Sequence, residues 1–281
     1  MGCCVLTVRI GVFDSGLGGL STLLACLRYL PEAEYRFFGD VAHAPYGDKD
    51  PALVRQWTAE AYQRFLTAGV DAVVLACNSA TSAAAAPLRE QSPVPILGLE
   101  PAIKKALDIE EGPVLLLATT LTVKGDKLRI LLQRIDSARR VRPVACPGLM
   151  EIVEGQASDW RITAQNYWRE RLYPHFEELQ PSGLVLGCTH YCWLEREFRQ
   201  WAGPDCRVYD GNDGVARHLW RRLFGTEAPL PGALPRSARI RLEFSADADR
   251  KKKLARDWLV SRGVELQERV RDTRIRPLSR G

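Results

Sequence analysis

Apolar positions fall in short runs, each followed by a longer stretch with helical spacing, along the whole chain. Val8–Phe13 reads as a first strand, followed by the Gly-rich turn Gly16-Leu17-Gly18-Gly19 and a helix to about Tyr29. Tyr35–Phe38 is a second strand ending at Gly39-Asp40. Asp50-Pro51 supplies a cap and a proline at the first helical position. From there Leu53, Val54, Trp57, Ala61, Phe65 and Leu66 trace one apolar stripe until Gly69 stops it. Asp71–Ala76 is a third strand, an Ala-rich helix ends near Pro87, and Val94–Leu99 is a fourth strand.

A second unit begins around Pro101, with strands at Val114–Leu117, Val141–Ala145, Gly183–Leu186 and Arg207–Tyr209 and a long helical segment at Gln156–Leu179. After Asp210 the chain returns to the first unit through a helix at Val215–Leu223, a strand at Ile240–Phe244 and a helix at Lys251–Val260. Strands alternating with helices predict an α/β fold with mostly parallel sheets flanked by helices. The expected organisation is two similar domains, residues 1–100 plus 210–281 forming a discontinuous first and 101–209 a second, joined by a tight interface.

Two of these strands end alike. Val73-Val74-Leu75-Ala76-Cys77-Asn78-Ser79 recurs 111 residues later as Leu184-Val185-Leu186-Gly187-Cys188-Thr189-His190. Each is a buried strand that delivers a cysteine to the carboxyl edge of a sheet, where α/β folds place ligands. Two thiols at equivalent points of two half-chains suit a cleft in which a proton leaves one face of a carbon and another arrives on the opposite face.

Composition narrows this picture modestly. With 46% hydrophobic and 26% charged residues, the chain reads as an ordinary soluble globular protein. No apolar run approaches the ~20 residues needed to cross a bilayer, and Arg9 interrupts the only apolar run near the N-terminus, so no membrane association or secretion is expected. Eight cysteines without a secretory leader point to reduced thiols in a cytoplasm. Cys3, Cys4, Cys26, Cys146 and Cys206 lack the polar surroundings of Cys77 and Cys188 and read as small core or surface residues. Residues 236–281 carry 14 Lys or Arg against 7 Asp or Glu, densest at Arg250-Lys251-Lys252-Lys253. No aromatic residues interleave with that run, so a solvated helix face is favoured over a nucleic-acid arm.

Other motifs carry candidate chemistry. Asp14-Ser15-Gly16-Leu17-Gly18-Gly19 follows a strand and opens a helix, so its N–H groups can hold an anion. Its spacing is not that of a dinucleotide loop, and Asp14 stands where a phosphate would sit. A small carboxylate fits better, and a plain capped turn is the alternative. Pro45-Tyr46-Gly47 is a rigid turn able to aim N–H groups and a hydroxyl at a ligand. Cys188-Thr189-His190-Tyr191-Cys192 raises a metal site, but zinc needs four ligands and the cluster at Cys77 adds one thiol only. A thiol hydrolase with Cys188 as nucleophile and His190 as base leaves Cys77 without a role.

Taken in order, Ile10-Gly11-Val12-Phe13-Asp14-Ser15-Gly16, Phe38-Gly39-Asp40, Pro45-Tyr46-Gly47, Ala76-Cys77-Asn78-Ser79-Ala80 and Leu186-Gly187-Cys188-Thr189-His190-Tyr191 resemble the bacterial glutamate racemases. Ala118-Thr119-Thr120-Leu121-Thr122-Val123, and Cys146-Pro147 leading to Val153-Glu154-Gly155, extend the resemblance over essentially the whole chain. It implies two similar α/β domains with the substrate in the cleft between them. The implied activity is interconversion of L- and D-glutamate, the D form feeding peptidoglycan synthesis, with no cofactor and no metal. Carried over by position, Cys77 and Cys188 are the acid/base thiols, Asp14 assists Cys77, His190 and Glu154 assist Cys188, and Asp40 is a further carboxylate near the site. Ser15, Pro45, Tyr46, Gly47, Asn78, Ser79, Thr122 and Thr189, with Asp14 and His190, hold the substrate's carboxylates and amino group. Ser79, Gly125 and Cys192 depart from the residues common in the family.

The chemistry demands unequal thiols. Only a thiolate can take the α-proton, while the opposite sulfur must carry a proton to give. A carboxylate beside a thiol favours its protonated form, and a protonated imidazole does the reverse. Within the same superfamily, an aspartate or other amino-acid racemase is the runner-up. From another class, some glutamate racemases inhibit DNA gyrase, which makes a gyrase-binding regulator an alternative. A homodimer is a further expectation.

Overall fold

A computed structural model describes residues 7–155 and 159–267. Cys3, Cys4 and the end of the basic segment, residues 268–281, lie outside the described residues.

The first part of the chain runs β1 (Arg9–Asp14), α1 (Leu20–Leu27), β2 (Glu34–Gly39), α2 (Pro51–Thr67), β3 (Ala72–Leu75), α3 (Asn78–Gln91) and β4 (Ile96–Gly98). There follow α4 (Ile103–Ile109), β5 (Val114–Ala118), α5 (Thr120–Lys124), α6 (Asp126–Ile135), β6 (Val141–Ala145), α7 (Leu149–Gly155), α8 (Trp160–Tyr167), α9 (Tyr173–Leu179) and β7 (Gly183–Gly187). The chain closes with α10 (Glu195–Ala202), β8 (Arg207–Asp210), α11 (Asn212–Phe224), β9 (Ser237–Phe244), α12 (Ala248–Ser261) and β10 (Glu265–Leu266). None of the described helices is long and apolar enough to cross a membrane.

Two parallel sheets result, one of six strands in the order β10-β9-β2-β1-β3-β4 and one of four in the order β6-β5-β7-β8. Within them, β2-β1-β3-β4 and β6-β5-β7-β8 are the same arrangement used twice. The strand order therefore reverses at β1/β3 and again at β5/β7, and each reversal opens a crevice at the carboxyl ends. Cys77 follows β3 and Cys188 follows β7, so the sequence repeat is also a repeat of position. Every residue of β3, β5 and β7 is buried, as expected for central strands covered on both faces. One hydrophobic cluster runs from Ile10 and Leu23 in the first sheet layer to Leu117, Trp168 and Trp193 in the second, and on to Leu259 of α12.

Three expectations need correction. The Ala-rich helix does not end near Pro87 but continues to Gln91. Proline leaves the carbonyl four residues back without its helical donor, and Arg55 Nε supplies one to Ala83 O at 3.1 Å. The segment Gln156–Leu179 is not one regular helix. Within its described part, a π turn at Trp168–Leu172 joins α8 to α9 and turns both of its end residues inward. Leu53, counted in the apolar stripe of α2, faces outward at 44% exposure, while Val54, Ala61 and Phe65 face the sheet.

Trp168 packs against Phe176, Phe198 and Trp201, with ring centroids 5.5–5.8 Å apart, under the sheet that carries Cys188. Trp168→Ala should therefore cost about 3–5 kcal/mol, measured by urea denaturation. A loss below about 1 kcal/mol would mean that the ring contributes no more than an ordinary surface position.

Candidate active site

The loop after β1 lies between the two crevices. Asp14 ends that strand, fully buried, and its Oδ2 accepts from the Gly16 N–H at 3.0 Å. Its other oxygen accepts from the Thr189 hydroxyl at 3.1 Å, which ties the first sheet to the turn after β7. Leu17 N–H donates to Glu154 Oε1 at 3.2 Å. Glycine is required here by close approach. A methyl at Gly18 would lie 2.6 Å from both His190 Nδ1 and Thr189 Oγ1, and one at Gly16 would collide with the Glu154 carboxylate.

The cleft between the crevices is lined by Ser15, Pro45, Tyr46, Gly47, Cys77, Asn78 and Ser79 on one side and by Cys188, Thr189 and His190 on the other. These are ten of the residues expected from sequence, brought together from four separate segments. Cys77 is also the N-cap of α3: its sulfur accepts from Ala80 N–H at 3.5 Å and lies 3.6 Å from Ser15 Oγ. Asn78 Nδ2 donates to Leu99 O at 3.4 Å, while Asn78 Oδ1 is buried without a partner among the described residues. Ser79 and Thr119 hydroxyls meet at 3.0 Å, joining α3 to the loop after β5.

Four expected residues sit elsewhere. Asp14 and Glu154 lie behind the cleft wall and act on it through Thr189 and His190. Asp40 is not on the wall. Its carboxylate accepts from Tyr46 Oη at 2.6 Å and lies 2.9 Å from His43 Nδ1, so it orients Tyr46 rather than facing the cleft. Thr122 is displaced as well: Thr119 caps α5 and takes the cleft position together with Thr120, while Thr122 accepts from Thr119 at 3.0 Å. The threonine run was visible in sequence, but which member faces inward depends on the cap. Cys146, read as a core residue, also lines the cleft. Cys192 turns away, its sulfur accepting from Asn212 Nδ2 at 3.5 Å, so it does not converge with Cys188 and His190.

The two thiols have different electrostatic surroundings. Burial, and then the Asp14 carboxylate, push the Cys77 thiol up to about 12, against the Ala80 N–H and the Ser15 hydroxyl. Burial also raises Asp14 itself, with His190 and the Gly16 N–H opposing. Cys188 instead faces an imidazole: its sulfur is 3.9 Å from His190 Nδ1, and His190 Nε2 is 3.1 Å from Glu154 Oε2. Burial works against a charged ring, but the hydrogen bonds to Cys188 and Glu154 and the nearby negative charges outweigh it, raising His190 well above its ordinary value. Glu154 is likewise opposed by burial yet held below the usual carboxylate range by His190 and by Lys251. The Gly18 N–H also points at His190 Nε2, at 3.2 Å. One ring nitrogen cannot accept from Gly18 and donate to Glu154 at once, and the buried carboxylate selects the charged ring that donates.

In the sequence Lys251 is one residue of a basic run that reads as a solvated helix face. That reading fails for this residue: its side chain is 14% exposed and its Nζ lies 3.1 Å from Glu154 Oε1. The neighbouring cations of α12 are occupied at the surface, Arg250 with Asp247 and Lys253 with Asp257. The free volume of the thiol cleft is about 20 Å³, room for about one water. A far larger cavity, about 1240 Å³, lies between α1, α10 and α12 and contains neither Cys77 nor Cys188. Size alone would have misplaced the chemistry.

Residues 23–219 match the model of the family described as Asp/Glu/Hydantoin racemase. A glutamate racemase of Clostridium perfringens is 41% identical over 216 residues, 76% of this chain and 82% of its own. A crystal structure of glutamate racemase from Thermus thermophilus in complex with β-chloro-D-alanine superposes with a TM-score of 0.72 at 32% identity, over 93% of this chain and 96% of that one. The structure of Escherichia coli glutamate racemase with L-glutamate and its activator UDP-MurNAc-Ala gives 0.75 at 26% identity, over 92% and 97%. With most of its length matched by that family and a thiol at each of its two crevices, the chain belongs to the Asp/Glu/Hydantoin racemases.

Proposed function

We propose that the protein racemises glutamate by a two-thiol proton transfer without an organic cofactor, supplying D-glutamate for peptidoglycan synthesis. The observation that carries this reading is the placement of Cys77 and Cys188 at equivalent strand ends on opposite walls of one cleft. The Cys188 thiolate, opposite charged His190, takes the α-proton of L-glutamate while the Cys77 thiol, held protonated beside Asp14, delivers one to the other face. D-glutamate runs the same steps in reverse. Charge developing on the α-carboxylate meets backbone N–H groups at the start of α3. The unpaired Asn78 Oδ1 suits the substrate ammonium, and the Tyr46, Ser79 and Thr189 hydroxyls suit the carboxylates. A cytoplasmic location fits a chemistry that needs both cysteines reduced. Strand membership of the two sheets supports division into residues 1–100 plus 210–281 and residues 101–209.

Two experiments follow from this site. Polarimetry of L-glutamate with purified protein should show loss of rotation toward the racemate, with aspartate slower by at least about a hundredfold, because a shorter diacid leaves buried donors unpaired. Comparable kcat/KM for aspartate and glutamate would overturn the substrate assignment.

The direction of catalysis should also separate the helpers. His190→Asn should lower kcat from L-glutamate more than from D-glutamate, and Asp14→Asn the reverse, each by less than the ~10²–10⁴-fold typical of losing the acid or base itself. The two values of kcat/KM stay equal because enantiomers have an equilibrium constant of one, so the asymmetry resides in kcat and KM. Identical kcat losses and identical isotope effects with α-deuterated substrates, in both directions and both mutants, would remove the split assignment.

A further inference from the structure

The ammonium of Lys251 closes a buried chain that runs Lys251 Nζ to Glu154 (3.1 Å), Glu154 to His190 Nε2 (3.1 Å) and His190 Nδ1 to Cys188 Sγ (3.9 Å). We propose that Lys251 is a positioning residue for proton transfer at Cys188: it holds the Glu154 carboxylate between itself and His190, and so aims the imidazole at the sulfur. This inference rests on the racemase reading of the same site.

The physical case begins with charge. Asp14, Glu154 and His190 are at most 6% exposed, and the Lys251 side chain is 14% exposed. Buried charges persist only when paired. While Cys188 carries its proton, two anions and two cations balance, and deleting Lys251 leaves an excess negative charge in a poorly hydrated cluster that the thiolate would deepen. Geometry gives the second reason. Three groups face Glu154 from three elements: the Leu17 N–H from the loop after β1, His190 from the turn after β7, and Lys251 from α12. Asp14, at the end of β1, is a further charge that interacts with it. Leu17 and Lys251 both hold Oε1, which leaves Oε2 for the imidazole. Without the ammonium, the carboxylate can rotate or take a proton, and either change loosens the ring that faces Cys188.

α12 does not depend on Lys251 to be seated. Trp258, two helical turns further on and therefore on the same face, stacks on Trp193 with centroids 4.6 Å apart and planes at 14°. Trp193 lies three residues beyond His190. Removing the ammonium thus leaves the helix anchored against the same turn, and the effect reads as electrostatic rather than as loss of docking.

The test compares Lys251→Met, Lys251→Arg and, as a control on the same helix, Lys253→Met. Two quantities are measured across pH: kcat and KM for both glutamate enantiomers, and the rate of Cys188 alkylation by iodoacetamide, resolved peptide by peptide. Removing a nearby cation disfavours thiolate formation, so Lys251→Met should move the alkylation midpoint of Cys188 and the acid limb of kcat/KM upward by about one pH unit. On the acid side of that limb kcat/KM should then fall about tenfold, mostly through kcat. Lys251→Arg should recover most of both, and Lys253→Met should leave both in place. If Lys251→Met does not fold, Lys251→Gln, which keeps a donor without the charge, is measured in its stead with the same expected shifts. A folded uncharged variant with an unmoved Cys188 midpoint, or an equal loss in Lys251→Arg, overturns the proposal. Wild-type protein that leaves glutamate unchanged overturns the racemase reading instead, because alkylation is read without substrate.

Discussion

The arrangement depends on one buried polar seam, where the loop after β1 is gripped by the turn after β7 and by α7. Asp14 accepts from Thr189, Glu154 accepts from Leu17 N–H, and His190 lies against Gly18. Each of these groups is buried, so each must find its partner across the boundary between the two sheets or bear the desolvation cost of an unpaired polar atom. Apolar packing alone would hold the sheets together over a range of offsets. Directional bonds from a glycine loop too tight for a methyl select one offset, and that offset sets the two sulfurs on opposite walls.

Duplication of the strand order supplies the symmetry, and the seam breaks it. Cys77 and Cys188 occupy the same topological place, yet the loop after β1 brings a carboxylate to one and the turn after β7 brings an imidazole to the other. A symmetric pair of sulfurs holding one proton would carry it on either with equal chance, whereas each direction of turnover needs a particular sulfur to be the acid. The difference comes from neighbours rather than from the thiols themselves.

Much of this was legible in the chain. Central strands are continuous apolar runs whose ends are marked by a small residue and a cysteine, so β3, β7 and the two thiols could be read directly. Asp14, Thr189 and His190 lie within a few residues of strand ends and inherit that legibility. What sequence reading missed depends on partners far away in the chain. Helix α3 passes Pro87 because Arg55, from α2, satisfies Ala83 O. Lys251 looked like one of four equivalent cations, and only Glu154, 97 residues upstream, distinguishes it. Thr119 rather than Thr122 faces the cleft because a cap orients it, whereas Asp40 lies near the site as expected, one hydrogen bond behind Tyr46. The helices missed between Ile103 and Ala202 are short, none longer than the ten residues of α6, and offer too few turns for a stripe to stand out.

Two sulfurs on separate walls also give the reaction an isotopic memory. A thiol exchanges its hydrogen with the medium between turnovers, so in heavy water the sulfur opposite the departing proton delivers deuterium. Substrate that regains its hydrogen from the same sulfur that took it returns unlabelled. The wall from which a hydrogen arrives is thereby written into the product, and inversion and labelling become one event read in two ways.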